Sequence, residues 1–102
     1  MITAIPKVSV ILPFFNAATT LNRAMKSIAS QSLKDFECIL INNNSSDKSV
    51  EIALEQTEKD ERFILIHEKK QGVMFASNSG SKQARGKYIA RMDADDWSFP
   101  NR

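Results

Sequence analysis

Near the end of this 102-residue chain three acids fall within four positions, Asp93, Asp95 and Asp96 in the run Met92-Asp93-Ala94-Asp95-Asp96. Carboxylates that close repel one another and raise each other's pKa unless a cation or hydrogen-bond donors neutralise them. Their hard oxygens suit Mg2+ or Mn2+, which take one or two protein carboxylates and complete their shell with substrate phosphates. In an extended backbone Asp93 and Asp95 point to the same side, so both can face one ion or one nucleotide. The same residues also suit a solvated acidic turn after a strand. Two further clusters stand out, Pro13-Phe14-Phe15-Asn16 and Asn42-Asn43-Asn44-Ser45-Ser46-Asp47. The amides and hydroxyls of the second, Asn42, Asn43 and Ser45 among them, suit recognition of a base or ribose edge, and equally a loop with a helix cap. Phe15 suits either stacking on a flat ring or packing into the core.

Other chemistries have no foothold in the sequence. There is no G-x-x-x-x-G-K-[ST] run and no G-x-G-x-x-G after the first apolar run, so neither a P-loop nor the dinucleotide fingerprint is present. Cys38 lies inside a strand pattern without a second cysteine, which reads as inert packing. His67 reads as a strand-end histidine and Trp97 as a ring packed below the acidic turn. Lys82, Arg85, Lys87 and Arg91 read as charges on a helix face and a strand, within reach of a phosphate for one of them.

The elements that must position these clusters follow from periodicity. Four apolar, β-branched-rich runs, Lys7–Phe14, Phe36–Ile41, Arg62–His67 and Lys87–Met92, begin at intervals of about 25–30 residues, the length of a strand–helix unit. VSVILPF and FECILI are nearly continuous in apolar content, as central strands covered on both faces require. Between them, Leu21, Ala24, Met25, Ile28 and Ala29 form one helical stripe. Ser46 or Asp47 is expected to cap a second helix that turns Val50, Ala53, Leu54 and Thr57 inward. A third helix, from about Met74 to Arg85, carries Ala76, Gly80 and Ala84 on a small-residue stripe fit for close approach to a sheet, with Gly86 as its C′ stop. Alternating strands and helices imply an α/β fold with a parallel sheet and right-handed crossovers. In such sheets ligands bind beyond the carboxyl ends of the strands, where all three polar clusters fall.

Composition bounds the rest. With 42% apolar and 25% charged residues, the chain is ordinary for a soluble domain, and a single domain over residues 1–102 is expected. Fourteen basic against twelve acidic residues give a net charge of +2, too mild to point to nucleic acid. One cysteine excludes an internal disulfide framework and suggests a reducing compartment. The apolar run Val8–Phe15 is broken by Ser9 and Pro13 and cannot span a bilayer, and no signal peptide is evident, so a cytoplasmic location is expected. Ser98-Phe99-Pro100 reads as a cap with proline in a first helical turn, so a helix and a longer protein are expected beyond Arg102.

Taken together, VSVILPFFNAATTLNRAMKSIASQSLKDFECILINNNSSD and QGVMFASNSGSKQARGKYIARMDADDWSFPNR resemble the family 2 glycosyltransferases, from about Lys7 to Arg102. The resemblance implies a Rossmann-like GT-A fold, truncated here on its C-terminal side, with a mostly parallel sheet and flanking helices. It implies transfer of a sugar from a nucleotide-sugar donor to an acceptor hydroxyl, as a hexosyltransferase that inverts the anomeric carbon and uses Mn2+ or Mg2+. By position, Pro13, Phe14, Phe15 and Asn16 match the P-x-Y-N segment of the base and ribose pocket, with Phe15 in place of tyrosine. Asn42 and Asn43 stand where the family commonly has two aspartates, one of which accepts a hydrogen bond from uracil; the Asn43 carbonyl oxygen keeps an acceptor there. Asn44 replaces a glycine and tolerates a left-handed turn. Ser77 stands where many members have arginine, which removes a phosphate contact. Asp93-Ala94-Asp95 matches D-x-D, with Asp95 as metal ligand, Asp93 toward ribose or metal, and Asp96 as a frequent companion.

The implied donor is a nucleotide-sugar, with a UDP-sugar favoured, and the implied acceptor is a glycan or a lipid-linked sugar, which allows association with the cytoplasmic face of a membrane through regions outside this chain. The general base of the family lies downstream of this segment; neither Glu68 nor Asp60 matches it. The chain is therefore expected to bind donor and metal without turning over. Two other readings stay open on the sequence, a non-catalytic nucleotide- or metal-binding α/β module and a degenerate family member serving as an interaction domain.

Overall fold

Strands and helices alternate in the expected order: β1 (Val8–Phe14), α1 (Leu21–Ala29), β2 (Phe36–Asn42), α2 (Ser49–Lys59), β3 (Phe63–His67), α3 (Val73–Gln83) and β4 (Tyr88–Arg91). The structure is a computed structural model that describes residues 6–30 and 35–93. The sheet runs β3-β2-β1-β4 with every neighbouring pair parallel. Parallel neighbours need a crossover between them, and each is supplied by one of the helices. The chain steps from β1 outward to β2 and β3, then returns through α3 to the far side of β1. The direction of winding thus reverses at β1, where an open α/β sheet forms its ligand crevice.

The pleat sorts the core into two layers. Val10, Leu12 and Phe14 of β1 pack with Leu21, Ala24, Met25 and Ile28 of α1 and Ala53 of α2. Ile11 points the other way and packs with Ile39, Ile41 and Ala76 of α3. β1 and β2 are therefore covered on both faces, which is why their sequences are nearly unbroken in apolar residues. α3 lies close, as its small-residue stripe predicts. A Cβ placed on Gly80 would stand 2.7 Å from both Ile11 Cγ2 and Ile41 Cδ1.

Two local expectations are corrected. Leu54 is 48% exposed, while Val50 and Ile52 pack against the core beside buried Ala53. The helix is turned so that Ser49 faces inward, where its hydroxyl accepts from the Ala17 amide at 2.8 Å and donates to Asp47 Oδ1. Gly86 is not the stop of α3: the helix ends at Gln83, Ala84 is already extended, and the Gly86 amide donates to Ser9 Oγ at 2.7 Å. The one charge within the nearly continuous apolar run of β2, Glu37, is fully buried.

The Glu37 carboxylate accepts from Ser9 Oγ at 2.6 Å, the Arg85 amide at 2.7 Å and Arg85 Nε at 3.1 Å, and pairs with Arg85 Nη2 at 3.0 Å. Burial by itself would raise its pKa, but the bonds from Ser9 and Arg85 outweigh burial and hold it below the usual value. Ser9 and Glu37 are register partners near the amino ends of β1 and β2. This network thus ties the two central strands to the α3–β4 connection at the end of the sheet away from the polar clusters. Cys38, next to it, is buried, and burial pushes its thiol pKa up, in keeping with inert packing.

Candidate functional site

Beyond the carboxyl ends of the strands, the loops after β1, β2 and β3 are stitched together by side-chain amides. Asn16 sits in the left-handed region at φ 48°, a conformation asparagine tolerates. Its Oδ1 accepts from the Ser46 amide at 2.7 Å and the Asp47 amide at 3.3 Å, while its own amide donates to Ser45 Oγ at 3.0 Å. Asp47 accepts from the Ala18 amide at 3.1 Å and the Ser49 amide at 2.9 Å, but the N-cap position of α2 falls on Lys48, one residue beyond the expected Ser46 or Asp47, and carries no side-chain capping bond. Bonding chiefly to the Ser49 hydroxyl lowers the pKa of Asp47.

Asn42 and Asn43 are both buried at the end of β2. Asn42 Oδ1 accepts from the Ser45 amide and its Nδ2 meets His67 Nδ1, each at 3.0 Å. His67 is exposed at the end of β3, as its strand-end reading requires. Asn43 grips the β3–α3 loop. Its Nδ2 donates to the carbonyls of Glu68 at 3.0 Å and Lys70 at 2.8 Å, and its Oδ1 accepts from the Gly72 amide at 2.8 Å. Two carbonyls on one side and an amide on the other leave one consistent orientation of the side chain. The Asn43 oxygen expected to serve a base edge is therefore turned to Gly72. Asn44, at φ 69°, takes up the left-handed turn anticipated for it and donates to Lys69 O at 2.8 Å and Gln71 Oε1 at 3.1 Å. Glu68 is drawn to α3 by a hydrogen bond from the Ser79 hydroxyl, which with the Lys70 amide lowers its pKa. Gly72, at φ 132°, makes the turn that starts α3, a conformation closed to residues with a Cβ.

This stitching leaves a cavity of about 230 Å³ between Pro13, Phe14 and Phe15 on one side and Gln71, Gly72 and Val73 on the other, with Asn43 in its lining. A second hollow, of about 310 Å³, adjoins it along Pro13–Ala17, Thr19 and Thr20. Phe15 is 52% exposed, so the core-packing alternative for its ring is overturned. Its neighbour Phe14 takes the core position instead. A bare aromatic face beside a mostly apolar hollow can stack on a flat heterocycle.

Asp93 reaches the same rim from β4. Arg91 is level with Ile11 and the Met92 amide donates to Ile11 O at 3.0 Å, so Asp93 falls level with Pro13. Its side chain is 55% exposed and one oxygen is 3.1 Å from Arg91 Nη2. A half-exposed carboxylate at the strand-end rim is a fitting hard-oxygen donor for a cation shared with substrate phosphates. Among the described residues no three His, Cys, Asp or Glu side chains come together as a metal cage. Asp95, Asp96 and Trp97 lie outside the described residues. Ser77, on α3, has a buried hydroxyl without a hydrogen-bond partner among the described residues, so it offers nothing in place of an arginine.

Sequence clusters thus identify the loops that meet at the rim, whereas Gln71 and Gly72 were not singled out. Their signal is only the Gln-Gly pair before a helix, and their partners stand almost thirty residues away in sequence.

Known proteins match this arrangement. The family model for glycosyl transferase family 2 matches residues 9–102. The uncharacterized glycosyltransferase YibD of Escherichia coli is 39% identical over 100 residues, covering 98% of this chain and 29% of that protein. The chain thus spans under a third of the length of such curated relatives. Among solved structures, residues 1–349 of Staphylococcus aureus TarS in complex with UDP superpose with a TM-score of 0.85 at 24% identity, covering 93% of this chain and 29% of that fragment. The mannosyltransferase PcManGT of Pyrobaculum calidifontis, in complex with GDP-Man and Mn2+, gives 0.81 at 24% identity over 91% of this chain and 28% of its own. At that identity these two structures establish the fold, a parallel sheet with flanking helices of the GT-A kind.

Proposed function

The chain belongs to glycosyl transferase family 2, and on that premise we propose that it forms the donor-binding part of an enzyme that moves a hexose from a nucleoside diphosphate to an acceptor hydroxyl. One observation carries the reading: the exposed ring of Phe15 beside a hollow at the strand ends, on the rim that Asp93 also reaches. Relatives bound to UDP and to GDP-Man with Mn2+ support the same class of ligand.

In this reading the base lies against Phe15, among Pro13, Phe14 and Asn43, and the ribose lies toward Asn16, Ser45 and Asp93. Asn42 and Asn16 act by fixing the loops, since their amides are engaged within the rim. Asp93 and Asp95 are the residues that would hold Mn2+ or Mg2+, an ion that when bound offsets the negative charge developing on the leaving diphosphate. The acceptor oxygen forms a bond to that carbon as its bond to the diphosphate breaks, with inversion, and the hydroxyl proton passes to a base outside the residues assigned here. Donor binding is the share of the reaction these residues carry. A glycan or lipid-linked acceptor at the cytoplasmic face of a membrane fits this chemistry.

The test is to incubate the intact protein with UDP- and GDP-sugars and Mn2+ and to follow release of the nucleoside diphosphate, alongside Asp95→Ala. Release that the variant loses supports the proposal. An intact, folded protein that neither binds nor consumes any nucleotide-sugar contradicts it.

A further inference from the structure

The cavity beside Phe15 needs a polar group to tell one base from another, because its walls are otherwise Pro13, Phe14 and Val73. Asn43 cannot supply it in this arrangement. Both protons of its Nδ2 go to Glu68 O and Lys70 O, and its Oδ1 accepts from Gly72 at 2.8 Å and faces Gln71 Nε2 at 3.5 Å. Gln71 is placed differently: it is exposed and lines the same cavity. Its Nε2 donates to the Asn43 backbone carbonyl at 3.2 Å and to Asn43 Oδ1 at 3.5 Å, and its Oε1 accepts from Asn44 Nδ2 at 3.1 Å. Those bonds fix which end of the amide is nitrogen, since Asn44 Nδ2 is itself held by Lys69 O at 2.8 Å. One lone pair of Oε1 remains.

We infer that Gln71 is the specificity-determining residue of the base pocket, and that Asn43 is a positioning residue that holds the Gln71–Gly72 turn in place. The inference rests on the donor-site reading above and names the group that selects within it. A carbonyl acceptor fixed in space distinguishes a ring N–H, which can donate to it, from a bare ring nitrogen, which sets two lone pairs against each other. Uracil and cytosine differ in that way, as do the corresponding edges of guanine and adenine. The ligand class is therefore a nucleoside diphosphate selected at a ring N–H.

The experiment is a calorimetric titration of the intact protein with UDP, CDP, GDP and ADP in the presence of Mn2+, for the wild type, Gln71→Ala, Asn43→Ala and Phe15→Ala. Within the pair of bases that fits the pocket, the wild type should differ by about tenfold in affinity, the worth of one such bond. Gln71→Ala should bring that pair to within about threefold, while Phe15→Ala weakens both members together and keeps their ratio. Asn43→Ala should compress the ratio as Gln71→Ala does and also speed amide exchange at Gly72. A ratio unchanged in Gln71→Ala overturns the inference, as does a wild type that binds both members of a pair equally, and either result leaves the donor-site proposal standing. A wild type that binds none of the four nucleotides overturns both.

Discussion

At the amino ends of β1 and β2 a carboxylate is sunk out of water and answered by a hydroxyl, a backbone amide and a guanidinium; at their carboxyl ends neutral amides of Asn16, Asn43 and Asn44 bind loops together around an open hollow. The first arrangement leaves little for a ligand to satisfy, because the donors around Glu37 already converge on it. The second is well stitched yet keeps an exposed ring, a half-exposed carboxylate and a glutamine amide with capacity to spare. Buried charge is costly unless its partners are fixed, so it belongs where the fold is held and does not move. Neutral amides can hold a loop and still tolerate the charge of an arriving diphosphate. The two ends of the same strands thus divide stability from binding.

The sharpest way to break that division is to remove the buried charge. Glu37→Ala should destabilise the protein by roughly 3 kcal/mol, the low end for a broken buried pair because Arg85 keeps access to water and is 43% exposed. Urea unfolding measures this, and a loss well under 1 kcal/mol would deny the network its role. Acid sharpens the same point. Glu37 has a folded pKa below its ordinary 4.5, so its contribution is fully present above that value and fades as pH falls through the folded pKa. Glu37→Gln cannot titrate there, and the stability gap between it and the wild type at pH 7 should narrow as pH falls below 4.5 and on through the folded pKa.

At the other end the expected effects on stability are smaller. Asn43→Asp replaces two donations to Glu68 O and Lys70 O with a carboxylate facing carbonyls. It should loosen the β3–α3 loop by about 1–2 kcal/mol, read as faster amide exchange at Gly72 with little change in Glu37's surroundings. Phe15→Ala should alter stability by no more than about 0.5 kcal/mol, as its ring is largely solvated, while weakening nucleotide binding about tenfold.

The same contrast explains what the sequence discloses. Strands β1 and β2 are legible because two-sided burial leaves an apolar run, and α3's close packing is legible from Ala76 and Gly80 because only small residues allow it. The rim loops are legible as clusters of polar residues at strand ends. Bonds between distant residues are not: Glu37 meets Arg85 48 residues away, and one charge does not break an apolar run. The inward-facing Ser49 that accompanies Leu54's outward turn bonds Ala17, 32 residues away, and the Asn43 clasp joins residues 25 to 29 apart. Periodicity reports which face is apolar, and it is silent on which distant polar partner that face meets.

Hydrogen–deuterium exchange of the intact protein with and without UDP or GDP, in Mn2+, tests the division most directly. Protection should appear at Phe15 and Asn16, at Asn43 to Ser45, and at Gln71 and Gly72, with no change at Ser9, Glu37 or Gly86. Protection confined to the amino-end network, or none at the rim in a protein that binds nucleotide, would contradict it.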